Sequence, residues 1–203
     1  MTELIINLFV ALLVVVDPVG LAPVFAGLTR DYSEQRKREA AIRGTLVGAA
    51  ILVLFAVAGN GLLDALGIGI PAFRIAGGVL LFLTALDMIF ARPSKTRVRT
   101  VQDQDDDQDV SVFPLAIPLI AGPGAITTVL LYGGDTSPVQ MVAVVAVLAV
   151  VLALVLISLL LATRIMRLFG KTGANVLARV LGVLLAALAV QLIIDGILAT
   201  IGS

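Results

Sequence analysis

The sequence contains no cysteine, no histidine and no tryptophan among its 203 residues, and only two tyrosines. Without thiolate or imidazole groups it can build no disulfide framework, zinc site, Cys or Ser-His nucleophile pair, or haem held by histidine. Charge is scarce too: Asp, Glu, Lys and Arg make up 14% of the chain, against roughly a quarter in soluble domains. Fourteen basic residues balance fourteen acidic ones, which removes any net-charge argument for a nucleic-acid partner. What is abundant is apolar: 60% of residues are hydrophobic and the mean hydropathy is +1.11. Such a chain is neither a soluble globular domain nor a disordered one.

Crossing about 30 Å of hydrocarbon takes about 20 apolar residues. Six runs qualify, at approximately 4–28, 41–63, 69–91, 112–132, 139–162 and 176–201. The fifth is the clearest, with no charge, Gly or Pro from Val139 to Ala162. The first opens with Glu3 instead of a basic segment and runs into Asp17-Pro18 without a small-residue cleavage pattern, so it reads as a retained span.

Basic residues stay on the cytoplasmic side when they lie in short loops near span ends. Arg30, Arg36, Lys37, Arg38 and Arg43 follow span one; Arg92, Lys95, Arg97 and Arg99 follow span three; Arg164, Arg167 and Lys171 follow span five. Twelve of the fourteen basic residues thus mark odd-numbered loops, while the opposite side offers Asp64 and Asp135. Both termini are expected outside the cytoplasm. The loop after span three also carries Asp103, Asp105, Asp106, Asp107 and Asp109, too polar to bury a core. It reads as a flexible, acidic cytoplasmic linker over 93–111, between three-helix units at 1–92 and 112–203.

The two units share punctuation. Pro18 and Pro23 fall one hundred positions before Pro118 and Pro123, and Arg74-x-x-Gly77 falls one hundred and five before Arg179-x-x-Gly182. Each unit has an odd number of spans, so the second enters the membrane from the opposite side. The predicted architecture is an all-α polytopic membrane protein of six transmembrane helices in two inverted repeats, with helices one and four broken at their Pro/Gly motifs.

Inside hydrocarbon every backbone N-H and C=O needs a partner, and irregular backbone is tolerated only where it is buried in protein or lines a watery cavity. Matched breaks in two halves therefore point to a solute site. Asp17-Pro18 and Gly122-Pro123 each match an N-cap followed by proline at the first helical position, presenting the positive end of a half-helix. Candidate solute-binding residues are Asp17, Pro18, Gly20 and Pro23 in span one, with Pro118, Gly122, Pro123, Gly124, Thr127 and Thr128 in span four. The threonine hydroxyls either supplement the backbone donors or bond back to the preceding turn. Asp17 is either a structural cap or a ligand for an amine, Na⁺ or a proton. Arg74 and Arg179 are candidate gating or structural polar residues, and Asp87 and Asp195 fall late in their spans. Gly44-x-x-x-Gly48, preceded by Ala40, makes a small-residue stripe suited either to packing within the monomer or to a dimer face.

Three stretches carry a family likeness: D-P-V-G-L-A-P-V-F at 17–25, A-F-R-I-A-G-G-V-L-L-F at 72–82 and F-P-L-A-I-P-L-I-A-G-P-G-A-I-T-T at 113–128. Together they resemble the MarC family of six-span bacterial and archaeal membrane proteins, and the likeness covers essentially the whole chain. The resemblance implies an inner or plasma membrane protein with outward termini and a distant relation to amino acid exporters of the LysE type. Some family members are described as small neutral amino acid transporters. The acidic run at 103–109 falls outside the family pattern.

The function expected is alternating-access transport of small neutral amino acids, such as alanine or glycine, or related small solutes. It requires no cofactor beyond Na⁺ or H⁺ coupling; the expected partners are the solute, the lipid bilayer and, as an open alternative, a second copy of the chain. The alternative function is a non-transporting membrane partner or regulator. An intramembrane enzyme pairing Asp17 with Asp87 or Asp195 is disfavoured, since no G-x-G-D surrounds these residues and position 117 holds Ile117 instead of a matching acid.

Overall fold

A computed structural model describes residues 2–90, 110–134 and 136–201. Asp135, Arg92 and the rest of the linker up to Asp109 lie outside the described residues, as do the side chains of Asp87, Pro118, Arg167 and Lys171. Among the described residues every regular element is a helix.

The first apolar run forms α1 (Thr2–Val16) and α2 (Pro18–Leu28), separated by Asp17 alone. Helix α3 (Glu34–Ala65) starts at Ser33, whose extended backbone and hydroxyl accepting from the Arg36 N-H at 3.3 Å make an N-cap. The chain then reverses through Gly67 at φ 66°, a conformation that favours glycine. It enters α4 (Ile70–Ile89) with Pro71 in the first turn, where a missing N-H costs nothing. The fourth run forms α5 (Ser111–Ile120), wound as a π-helix, and α6 (Pro123–Gly133). Helix α7 (Pro138–Leu160) opens with a capping box: Ser137 and Gln140 satisfy each other's backbone N-H groups. Helix α8 (Ala162–Ile201) is 40 residues long.

Four segments are long and apolar enough to cross a membrane: Thr2–Leu28, counted through its break, Glu34–Ala65, Pro138–Leu160 and Gly182–Ile201. The other two expected crossings are shorter pieces: the apolar stretch Ile70–Leu83 of α4, and the fourth run, divided between helices of ten and eleven residues. The structure corrects one expectation outright. The basic stretch after span five is not a loop, because α8 begins immediately after Leu161 and continues to Ile201. No proline occurs in 162–201, and Gly170 and Gly173 cost only about 1 kcal/mol each in a helix, too little to stop one rich in Ala, Leu and Arg.

Lipid tails are as apolar as leucine, so these helices associate through close packing at small residues. Gly44 of α3 lies against Leu115 and the Ser111 carbonyl, Gly48 against Ile120, and Gly59 against Leu130. The Gly44/Gly48 stripe is therefore occupied within the monomer, and α3 runs parallel to the fourth run. Helices α4 and α8 pack antiparallel, with Gly78 on the Ala189 carbonyl, Gly182 on Ala85 and Met88, and Gly196 on the Pro71 carbonyl and Ile75. The main core joins α1, α2, α3, α5, α6, α7 and the first residue of α8, Ala162. Leu8, Leu12 and Val16 of α1 share this core with Val144, Leu148, Val151 and Val155, which lie along one face of α7. A smaller cluster, Leu81, Ala85, Leu185 and Ala189, seals α4 on α8.

In pairs, α1 and α2 lie on α7, α5 and α6 lie on α3, α4 packs on α6 and α8 on α2, and α3 touches α7. Outward-facing Leu46, Leu54 and Val57 of α3, Val142 and Val150 of α7, and Val183 and Leu184 of α8 leave an apolar belt far beyond what a water-soluble monomer exposes.

Candidate functional site

The first break is built by three residues. Asp17 adopts a left-handed conformation, φ 48° and ψ 69°, and its Oδ1 accepts from the Gly20 N-H at 2.9 Å, so α2 restarts on an aspartate N-cap with Pro18 at its first position. Gly20 lets the carboxylate approach closely, because a Cβ there would press on the Asp17 carboxylate. Pro23 lies inside α2 and has no N-H to give the Val19 carbonyl one turn back. At the break itself, the buried Ser158 hydroxyl of α7 donates to the Pro18 carbonyl, tying the restart to the neighbouring span.

The second break is made differently. Residues before proline are pushed out of the helical region. Phe113 before Pro114 and Ile117 before Pro118 are accordingly extended, at φ/ψ of −134°/123° and −125°/125°. The intervening turns close through wide bonds, Leu115 N-H to Val110 O at 3.2 Å and Ala121 N-H to Ala116 O at 2.8 Å. The chain leaves this helix at Ala121, passes Gly122 with extended backbone, and restarts at Pro123 with no side-chain cap. Gly124 is buried at the contact of α6 with Leu81 of α4 and Val15 of α1.

The restarts assign different partners to the prolines than equal spacing suggests. Pro18 and Pro123 both open half-helices, 105 positions apart, which is also the offset between Arg74 and Arg179. Pro23 lies beyond its break and Pro118 before the other, so the hundred-residue pairing of Pro18 with Pro118 and Pro23 with Pro123 does not reflect equivalent places.

Of the two readings of the threonines, back-bonding holds. Thr127 Oγ1 donates to the Pro123 carbonyl and Thr128 Oγ1 to the Gly124 carbonyl, both at 2.8 Å. Both side chains are buried, with Thr127 seated on Gly77 of α4. Their protons are spent, and the first N-H groups of α6 gain no extra donor from them.

Arg74 and Arg179 do not share a site. The antiparallel register of α4 and α8 puts Arg179 toward the C-terminal end of α4 and Arg74 near its start. Arg179 is exposed, whereas the Arg74 Nε is buried without a hydrogen-bond partner. Asp195 accepts from Gln191 Nε2 at 2.7 Å on the exposed face of α8. Sequence reasoning missed Ser158, although it is the only hydroxyl in the apolar run 139–162. It left Asn60 unassigned and passed over Tyr132, both of which lie at the end of α6. A cleft of about 270 Å³ opens where α2 ends, between Phe25, Thr29, Lys37, Leu159 and Thr163.

A family model described as "MarC family integral membrane protein" matches residues 2–201. The chain is 36% identical to a UPF0056 membrane protein of Archaeoglobus fulgidus, over 93% of its own length and 90% of the relative's. It is 37% identical to one of Methanocaldococcus jannaschii, over 96% and 87%. A third, from Aquifex aeolicus, is 32% identical over 96% and 92%. No solved structure matches the chain.

Proposed function

The chain belongs to the MarC family of integral membrane proteins, and on that premise we propose that it is a secondary transporter of small neutral amino acids working by alternating access. In this reading residues 1–92 and 112–203 are inverted three-span repeats joined by the linker 93–111. The termini face away from the cytoplasm, as the basic residues that follow the odd-numbered spans suggest. One observation carries the reading: two half-helices restart at proline inside apolar crossings, 105 positions apart, each packed on the long helix of the other half. The packing supports a two-fold relation. Exchanging α1, α2, α3 and α4 with α5, α6, α7 and α8 turns the α1–α7 and α2–α7 contacts into α5–α3 and α6–α3, and α4–α6 into α8–α2. Such breaks are tolerated in a bilayer where they line a cavity, and repeats that rock about them alternate its access.

The restarts divide the work on a zwitterion. The uncapped start of α6 offers main-chain N-H groups and the positive end of its dipole to a carboxylate. Asp17 supplies the one acid at the break, for the solute ammonium or for a coupling Na⁺ or proton. Purified protein in liposomes is expected to take up labelled alanine or glycine, and Asp17→Asn and Gly122→Leu are expected to abolish uptake. Uptake equal to that of empty liposomes would remove the proposal.

A further inference from the structure

The cleft where α2 ends is lined by no residue of either break. Its lining is of two kinds. Phe25 and Ala26 of α2, with Leu159 and Leu160 of α7, stand at the ends of two membrane-crossing segments, Thr2–Leu28 and Pro138–Leu160. Lys37 and Arg38 face the same space from the polar first turns of α3, just before its apolar stretch begins. The cleft therefore joins hydrocarbon-level side chains to cations at the level where crossings end.

The polar groups differ in what they can still offer. Lys37 Nζ donates to Glu34 Oε1 at 2.7 Å, which takes one of the three ammonium donors and holds a largely covered side chain at the cleft. Glu34 itself stands in water, 84% exposed. Arg38 has no ion pair among the described residues, and its planar fork suits phosphate oxygens. Thr163 brings a hydroxyl from the first turn of α8, whereas Thr29 Oγ1 already donates to the Phe25 carbonyl at 2.8 Å. With Glu34 counted against Lys37 and Arg38, the lining keeps one positive charge. Arg30 and Arg164, exposed and next in the chain to Thr29 and Thr163, add to the positive field.

A soluble anion would use the cations and leave the four apolar side chains idle; an uncharged lipid would do the reverse. We propose that this cleft is a binding site for an anionic phospholipid, its phosphate held by Lys37 and Arg38 and the start of its acyl chains laid on Phe25, Ala26, Leu159 and Leu160. Basic pockets between membrane helices take anionic headgroups in this way. At about 270 Å³ the cavity holds a headgroup but not a whole lipid. Ile157, Leu160 and Leu161, all exposed, continue the apolar surface for the remaining chain carbons. The site does not rest on the carrier reading, and uptake plays no part in its test.

Purified protein is titrated in one detergent with phosphatidylglycerol or phosphatidylcholine and the retained lipid counted by native mass spectrometry. One phosphatidylglycerol per chain is expected, bound at least about tenfold tighter than phosphatidylcholine, since two basic residues meet its charge. Arg38→Gln is expected to weaken it about fivefold, the worth of one basic residue beside anionic lipid, and Lys37→Gln by a similar factor. Glu34→Gln removes the anion from the lining and is expected to tighten binding at least about twofold. Arg36→Gln is the control: Arg36 is on the same helix, exposed and outside the lining, stacked on Tyr32 at 4.9 Å. It is expected to leave binding within about twofold of the parent. Ala26→Phe fills the apolar half and is expected to weaken the lipid as much as Arg38→Gln does. Glycerol 3-phosphate at about ten times the lipid concentration is expected not to compete, because it lacks the chains. Should Lys37→Gln or Ala26→Phe fail to fold, Arg38→Gln and Glu34→Gln change exposed side chains and carry the test. Equal retention of the two lipids overturns the site, as does a loss in Arg36→Gln as large as in Arg38→Gln, which would leave only surface attraction. Displacement by glycerol 3-phosphate at that ratio overturns the lipid and assigns the cleft to a soluble phosphate.

Discussion

Substitution of Asp17 separates the two things this residue does, because its conformation and its charge answer to different replacements. The native residue sits at φ 48° and caps Gly20 at 2.9 Å. Asparagine caps as well as aspartate and tolerates the left-handed region, so Asp17→Asn is expected to keep the fold within about 0.5 kcal/mol. Glycine frees the backbone and loses the side-chain bond, a cost of a few tenths of a kcal/mol as an N-cap. Alanine loses the cap, about 1 kcal/mol, and pays about 1–2 kcal/mol for holding a Cβ in the left-handed region, about 2–3 kcal/mol in total. For a chain of this length that is a fall in melting temperature of about 4–12 °C. The stability order to be read from melting curves in one detergent is therefore Asp, Asn and Gly together, with Ala well below. Uptake into liposomes should follow a different order: on the carrier proposal Asp17→Asn is inactive although it folds as well as the parent. Equal melting of the Asn and Ala proteins would refute the cap and the strained backbone. Parental uptake by Asp17→Asn would refute the need for the charge.

Gly133→Ala drives a Cβ to 2.5 Å from the Ala56 carbonyl oxygen, a backbone atom with no side chain to yield, and is expected to lower stability by about 1–3 kcal/mol. Gly61→Ala meets nothing within 4 Å in the helical part of α3 and is expected to raise it by about 0.4–1 kcal/mol, so melting points that move together would refute the tight α3–α6 contact. Ser158→Ala removes the buried bond to the Pro18 carbonyl and is expected to cost about 1 kcal/mol by the same measurement; no change would mean that the tie does not hold α2. Thr127→Val and Thr128→Val remove hydroxyls that already bond back to their own helix, so liposome uptake is expected to stay within about twofold of the parent. Loss of uptake in either folded variant would assign that hydroxyl to the solute.

The parts legible in the sequence are those where one residue type has one physical use. Proline at a first helical position after Asp or Gly marks a restart, and both restarts stand where Asp17-Pro18 and Gly122-Pro123 predict. Counting equal spacings misled where the same residue type serves two uses. Pro118 forces Ile117 out of the helix before its break and Pro23 sits inside the helix after the other, so they match the wrong partners in a hundred-residue comparison. Helix α8 was hidden because its charged, glycine-containing start resembles a loop, although nothing in it terminates a helix. The Gly44/Gly48 stripe announced close approach without naming the neighbour, since Leu115 and Ile120 come from a distant part of the chain. Ser158 belongs to the same class: its meaning lies in the Pro18 carbonyl that α2 brings beside it.

The two breaks share a position and differ in chemistry. At α2 the positive helix end is already answered by its own Asp17 carboxylate, whereas at α6 the equivalent place is Gly122, which has no side chain and leaves the first N-H groups without a cap. A solute carboxylate approaching α2 meets a like charge; approaching α6 it meets only donors and a favourable dipole. On the carrier proposal this fixes the direction in which a zwitterion lies, carboxylate toward Gly122 and ammonium toward Asp17. It also explains why the second half can dispense with an acid: an aspartate at position 122 would cap α6 and close the anion site. Gly122→Asp is therefore expected to raise the melting temperature, since an aspartate N-cap outranks glycine by a few tenths of a kcal/mol, while it abolishes uptake of alanine. Retained uptake in a stabilised Gly122→Asp protein would show that the start of α6 does not receive the carboxylate.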